Sequence, residues 1–239
     1  MNRLSRTFAA LLGALLLPAG AAAAQSIPSP YRYLEETQGI QAFAGYLFTD
    51  PTINLSDSTA ADFGPRSGPL FGLRYGVRVG GPLTFEAGVG FSPSDRKVYA
   101  AEAVADSTEI RVLDTGATTS TAVLIGEAAL RFSLTGPRAY RGFAPFVRLS
   151  GGLAADLAGS GDAEEDLPET ERFDFGPAFA VGLGAGTDIY VTPRASIRLQ
   201  LDGRLWRQSA PEGFRPVNVS GISEWNNASS ATVGAVLHF

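Results

Sequence analysis

The chain contains no cysteine in its 239 residues. Disulfides, thiolate metal sites and cysteine nucleophiles are therefore excluded, and so is a lipid attached at a cleavage-site cysteine. There is one lysine, Lys97, against eighteen arginines, and one histidine, His238. Acid–base chemistry by a His with a Ser and a carboxylate in reach would have to run through that single ring. The motif G-x-S-x-G does not occur. After residue 24 no apolar run approaches the about 20 residues that a membrane-spanning helix needs. The formal charge is −5, an acidic balance that argues against a nucleic-acid partner.

The N-terminal residues have a different character. Arg3 and Arg6 precede an apolar stretch from Phe8 to Leu17, and Ala22-Ala23-Ala24 supplies small residues. This is the pattern of a cleaved secretory signal, residues 1–24, with the cut between Ala24 and Gln25. Loss of the two arginines moves the net charge from −5 to −7. Residues 25–39, with prolines and the polar run Glu35-Glu36-Thr37-Gln38, are expected to be a periplasmic segment with a short helical turn.

From residue 40 to 239 the hydrophobic content is spread at period two, with 28 glycines in the whole chain. Eight segments alternate: about 40–49, 70–79, 83–91, 120–134, 143–157, 175–190, 196–207 and a last one ending at Phe239. In the second, Phe71, Leu73, Tyr75, Val77 and Val79 alternate with Gly72, Arg74, Gly76 and Arg78. In the seventh, Ile197, Leu199, Leu201 and Leu205 alternate with Arg198, Gln200, Asp202 and Arg204. Every charge falls opposite the apolar row. A soluble barrel would put its apolar row inside; strands between lipid and a polar lumen put it outside. The first strand is the least clear, because Phe43 and Leu47 sit on the expected inner face.

The connections alternate in length. Those near Gly80, Gly136 and Thr192 are short. Those at 50–67, 93–118, 158–174 and 208–228 are long and polar. Short periplasmic turns opposite long external loops predict an all-β, eight-stranded antiparallel up-and-down transmembrane barrel. The 93–118 segment reads as an external hairpin extending strands three and four; ten spanning strands is the alternative. Aromatic residues toward both ends, Phe48, Phe71, Phe91 and Phe179 at one and Phe132, Phe143 and Phe239 at the other, read as interfacial girdles.

The last strand ends Leu237-His238-Phe239 with alternating Ala235 and Val233. With the export signal and the eight strands, this resembles the small bacterial outer-membrane barrels that include the OmpA transmembrane domain and OmpX. The resemblance covers nearly the whole chain as a pattern. It implies a multi-pass outer-membrane location among lipid and lipopolysaccharide. It also implies that Phe239 and Leu237 act as the signal read by the barrel assembly machinery. OmpA-type chains often continue into a peptidoglycan-binding domain; this sequence ends on the strand, so a tethering role is not expected.

The interior of an eight-stranded barrel is just wide enough to be filled by side chains. Diagonal counting places Glu86 near Arg74 and Arg78, Arg148 near Glu127, and Asp188 opposite Arg198. A lumen network of Arg74, Arg78, Glu86, Glu127, Arg131 and Arg148 is expected, with Asp188–Arg198 and Asp202–Arg204 as satellites. The expected role is structural or surface interaction through the long loops, with no enzyme activity, no cofactor and no metal, and with an extracellular partner the sequence does not identify. A narrow passive channel or small-molecule transporter is the alternative, left open by the glycine-lined inner face of strand six. A lipid-modifying enzyme is third, with His238 read as a satisfied rim residue. The carboxylates from Asp162 to Asp174 read as a solvated loop, with divalent-cation binding as the lesser option. Trp206 and Trp225 are placed near the external rim.

Overall fold

The structure, a computed structural model, describes residues 29–56, 59–103, 110–159, 161–214 and 221–239. The expected signal peptide and the Ala24–Gln25 junction lie outside the described residues, as do Val104 and Glu109 at the tip of the expected hairpin.

Eight long strands form one ring. They are β1 (Gln38–Thr49), β2 (Gly68–Gly80), β3 (Leu83–Ala103), β4 (Ile110–Ser133), β5 (Phe143–Asp156), β6 (Ala178–Thr192), β7 (Ala195–Ser209) and β8 (Ser223–His238). Each pairs antiparallel with its sequence neighbours. β8 then pairs with β1 from Ala228 opposite Thr49 to His238 opposite Gly39, which closes the barrel. Closure leaves the ring without an exposed edge.

Alternation decides the faces. Along β7, Ser196, Arg198, Gln200, Asp202, Arg204 and Trp206 are buried while Ile197, Leu199, Leu201 and Leu205 are exposed. Leu201 is 62% accessible and Arg198 3%. The hydrophobic effect in water would drive the opposite arrangement, so this exterior is made for hydrocarbon. β1 follows the same rule, with Leu47 buried inside and Phe48 exposed.

β3 and β4 run to 21 and 24 residues, well past the roughly 9–11 that cross a bilayer. Their pairing continues from Pro93 opposite Ala122 to Ala103 opposite Ile110, with one register shift between Lys97 and Tyr99. The 93–118 segment is thus an extension of two existing strands, and the ten-strand alternative is set aside.

Two local expectations are corrected, and two of the long loops carry structure of their own. The N-terminal segment is extended and not helical: Tyr31–Tyr33 pairs antiparallel with Arg138–Tyr140 in the β4–β5 connection. That connection is accordingly longer than a simple turn. The 50–67 loop contains its own hairpin, Thr52–Ser56 with Thr59–Asp62. The loop after β5 contains two short 3-10 turns, Asp162–Glu164 and Glu169–Glu171.

The β4–β5 connection lies four strands from the β8–β1 seam in either direction round the ring. Residues 31–37 therefore run across the short-turn mouth as a strap. It is tied at the far side by Leu34 N–H to Pro137 O (3.0 Å). At the near side Arg78 N–H donates to Thr37 O (2.7 Å) and Gln38 N–H to Phe239 O (3.0 Å).

Candidate functional site

The bore is filled at two levels. The lower level is ionic. Arg74 (β2), Arg131 (β4), Arg148 (β5), Arg198 and Arg204 (β7) meet Glu86 (β3), Glu127 (β4), Asp188 (β6) and Asp202 (β7). Glu127 takes three guanidiniums: Arg74 at 3.0 Å, Arg148 at 3.0 Å and Arg204 at 3.3 Å. Glu86 is met by Arg198 at 2.8 Å and Arg131 at 3.0 Å, with Arg148 at 3.7 Å and Arg74 at 4.0 Å. Asp188 holds Arg198 at 2.6 Å and Arg131 at 2.7 Å. Asp202 joins Arg148 at 3.1 Å and Arg204 at 3.6 Å. The two expected satellite pairs are thus part of one web.

Two glutamines absent from the expected set stitch it together. Arg74 Nη1 donates to Gln41 Oε1 (3.0 Å) and Gln200 Oε1 (2.9 Å), and Gln200 Nε2 donates to Asp202. Phe43 and Phe146 add ring faces under Arg74, Arg131 and Arg198 at 5.0–5.1 Å. The one expected member outside the web is Arg78. It sits one step from the turn, opposite Thr84 in the β2–β3 register, below the level of Glu86. Its Nη1 donates instead to the strap carbonyl of Leu34 at 2.7 Å.

The glycine row of β6 faces filled space. A side chain at Gly184 would meet Asp202 and, at 3.0 Å, Arg148 Cγ; one at Gly186 would meet Phe146 Cζ at 2.7 Å. Glycine is needed there because side chains of the plug fill the space beside the β6 inner face.

Outside, the expected girdle residues are all exposed: Phe48, Phe71, Phe91 and Phe179 toward the long loops, and Phe132, Phe143 and Phe239 toward the short turns. No family model and no curated protein matches the sequence. Among solved structures the chain is similar to the outer membrane protein OprG from Pseudomonas aeruginosa, with TM-score 0.53 and 10% identity over 85% of this chain and 97% of that one. It is also similar to Neisserial surface protein A (TM-score 0.45, 14% identity, 84% and 97%). A third is the outer membrane protein AlkL (TM-score 0.44, 8% identity, 93% and 97%). The likeness to OprG, at that identity, carries the fold. The chain has the fold of the small outer-membrane β-barrels.

The upper level of the barrel is apolar. The side chains of Leu47, Leu70, Val123, Ile125 and Trp206 from the upper bore pack with Ile53 and Phe63 of the first loop. Phe173 and Phe175 of the third loop and Phe214 of the fourth complete the cluster. Phe63 is its hub, 5.1 Å from Tyr99, 4.8 Å from Phe214 and stacked on Phe173 at 6.1 Å. Trp206 is fully buried against Phe175 at 5.3 Å, whereas Trp225 is 52% exposed beside Phe179. Trp206, on the inner face at the external end of β7, thus packs under the loops, while Trp225 stays outside.

The loops are pinned to this dome by charge. Arg96 on the β3 extension grips Glu164 through two bonds, 2.5 and 2.6 Å, with both side chains buried. Glu171 accepts the Ala101 amide at 2.9 Å, and Arg172 donates to the carbonyls of Leu167 and Glu165. The acidic third loop is therefore not simply solvated. Lys97 bridges Asp62 (3.4 Å) and Asp114 (3.6 Å). Its ammonium is held above the usual lysine range, first by the neighbouring Tyr99 and then by its hydrogen bond to Asp62.

At the short-turn mouth His238 Nε2 shares a hydrogen bond with Ser196 Oγ (2.8 Å) and stacks on Tyr190 at 4.9 Å. Phe239 exchanges two bonds of 3.0 Å with Gln38, and its ring remains 54% exposed.

Proposed function

We propose that this outer-membrane barrel is closed to ions and acts as a structural or surface-interaction protein through its loop dome. The observation that carries the reading is the ion-pair web across the bore, roofed by the Phe63 cluster. Opening a path would strip paired charges of their partners in a low-dielectric interior, at several kcal/mol for each ion. Catalysis is not part of the proposal. Ser196, whose hydroxyl shares a hydrogen bond with the single histidine, is buried.

The four long loops supply the working surface. Residues 50–67, 93–118, 158–174 and 208–228 hold seventeen acidic residues against six basic ones. A partner for this surface is expected to be cationic or bridged by cations. Single-channel recording in planar bilayers tests the closed-bore reading: the refolded mature protein should give no stable open current. A steady current whose ion selectivity changes in Arg74→Ala or Glu86→Ala would overturn it.

A further inference from the structure

Below the ionic web and above the strap lies a chamber of about 50 Å³. By the measure in which one water needs about 10–15 Å³, it has room for a few waters or one monatomic anion with a water beside it. Its walls include Arg78, Arg131, Arg198, Thr84 and the strap residue Glu36.

The charges around it do not balance. The web holds five arginines and four carboxylates, a surplus of one positive charge in a bore surrounded by hydrocarbon. Adding the chamber's own Arg78 and Glu36 leaves the surplus unchanged at six against five. Both Asp188 oxygens accept from Arg198 and Arg131, and Glu86 Oε1 accepts from Arg198. Glu86 Oε2 has no hydrogen-bond partner among the described residues, with Arg148 at 3.7 Å and Arg74 at 4.0 Å. Donors are left over. Arg131 Nη2 reaches only Thr84 Oγ1, at 3.5 Å, the limit for a hydrogen bond. Arg78 gives one proton to Leu34 O, and no carboxylate among the described residues lies within ion-pair distance of it. Glu36 likewise forms no ion pair among the described residues.

We propose that this vestibule binds one small inorganic anion of chloride size, held between Arg78 and Arg131 with Arg198 behind them. The anion is the counter-charge that the web lacks. It also ties the strap to the barrel, because Arg78 would touch the anion and the Leu34 carbonyl together. The site does not depend on the closed-bore reading: a conducting barrel could still carry it, and a sealed one could lack it.

The test uses the refolded mature protein in neutral detergent at fixed ionic strength, exchanging sodium gluconate, too large for the chamber, for sodium chloride. The thermal midpoint should rise saturably with chloride, by about 3–6 °C at ten times the dissociation constant. In Arg78→Gln the rise should vanish. Equal midpoints in the two salts would overturn the site, and so would a chloride-specific rise that persists in Arg78→Gln. Crystals soaked in bromide give a reading that needs no variant: an anomalous peak between Arg78 and Arg131 is expected, and its absence there would reject the proposal even where chloride stabilises the protein.

Discussion

Glu127 shows how energy is distributed in the plug. Its carboxylate is the meeting point of three guanidiniums from three different strands. Removing it leaves Arg74, Arg148 and Arg204 facing one another in the bore and raises the surplus positive charge of the web from one to two. Breaking a buried ionic set from one side typically costs about 3–5 kcal/mol, because the abandoned charges cannot reach water. Glu127→Ala is therefore expected to lower the melting temperature of the refolded barrel by about 10 °C or more. The comparison is Glu102, whose pair with Arg111 spans 3.9 Å with both side chains mostly exposed. Exposed pairs are screened and contribute little, so Glu102→Ala should leave the melting temperature unchanged. Equal losses in the two variants would mean that the web is not what holds the bore. The web also shows how far residue counting reaches. Counting across a tight turn brings Glu86 toward Arg74, but Arg74 is its most distant partner at 4.0 Å, while Arg198 comes from the opposite wall to 2.8 Å. Which arginine wins depends on the bore radius and the angle at which β7 faces β3. Neither quantity is local in sequence.

At the scale of elements, strands were readable and loops were not. A period-two pattern of Leu, Ile, Phe and Val against Arg, Asp and Gly fixes the two faces of a strand, because a slip of one residue would exchange them. Even Phe43 and Leu47, which suit lipid chemically, stay on the inner face that register assigns them. The loops follow no period. Nothing across the 68-residue separation of Arg96 and Glu164 marks them as partners, and a run as acidic as Asp162–Asp174 reads as solvated. The structure instead buries Glu164 under the guanidinium and lays Phe173 5.5 Å from that same cation. Glu164→Gln should thus uncover part of the apolar dome. The expected result is faster proteolytic cutting within 158–174 with the melting of the strands little changed. A nicking rate equal to that of the parent protein would show that the apolar contacts alone hold the loop.

For the whole molecule the question is how the ring closes, since eight strands become a barrel only when β8 finds β1. The pairing runs eleven residues, from Ala228 opposite Thr49 to His238 opposite Gly39, and the two bonds between Phe239 and Gln38 extend it by one step. Two hydrogen bonds at a wet rim contribute about 1–3 kcal/mol together, a small part of a seam of this length. The Phe239 ring adds little to packing, because over half of it is exposed. A purely structural role would therefore predict that deleting Phe239 lowers the melting temperature of the refolded barrel slightly and changes nothing else. A role as the mark by which the assembly machinery recognises the last strand predicts a different pair of results. Refolding in detergent proceeds nearly as before, while the amount assembled in the outer membrane falls several-fold and unassembled chain collects in the periplasm. Heat-modifiable mobility on gels measures the first quantity and membrane fractionation the second. Normal membrane yield from the truncated chain would remove Phe239 from that role and leave the seam itself as the only determinant of closure.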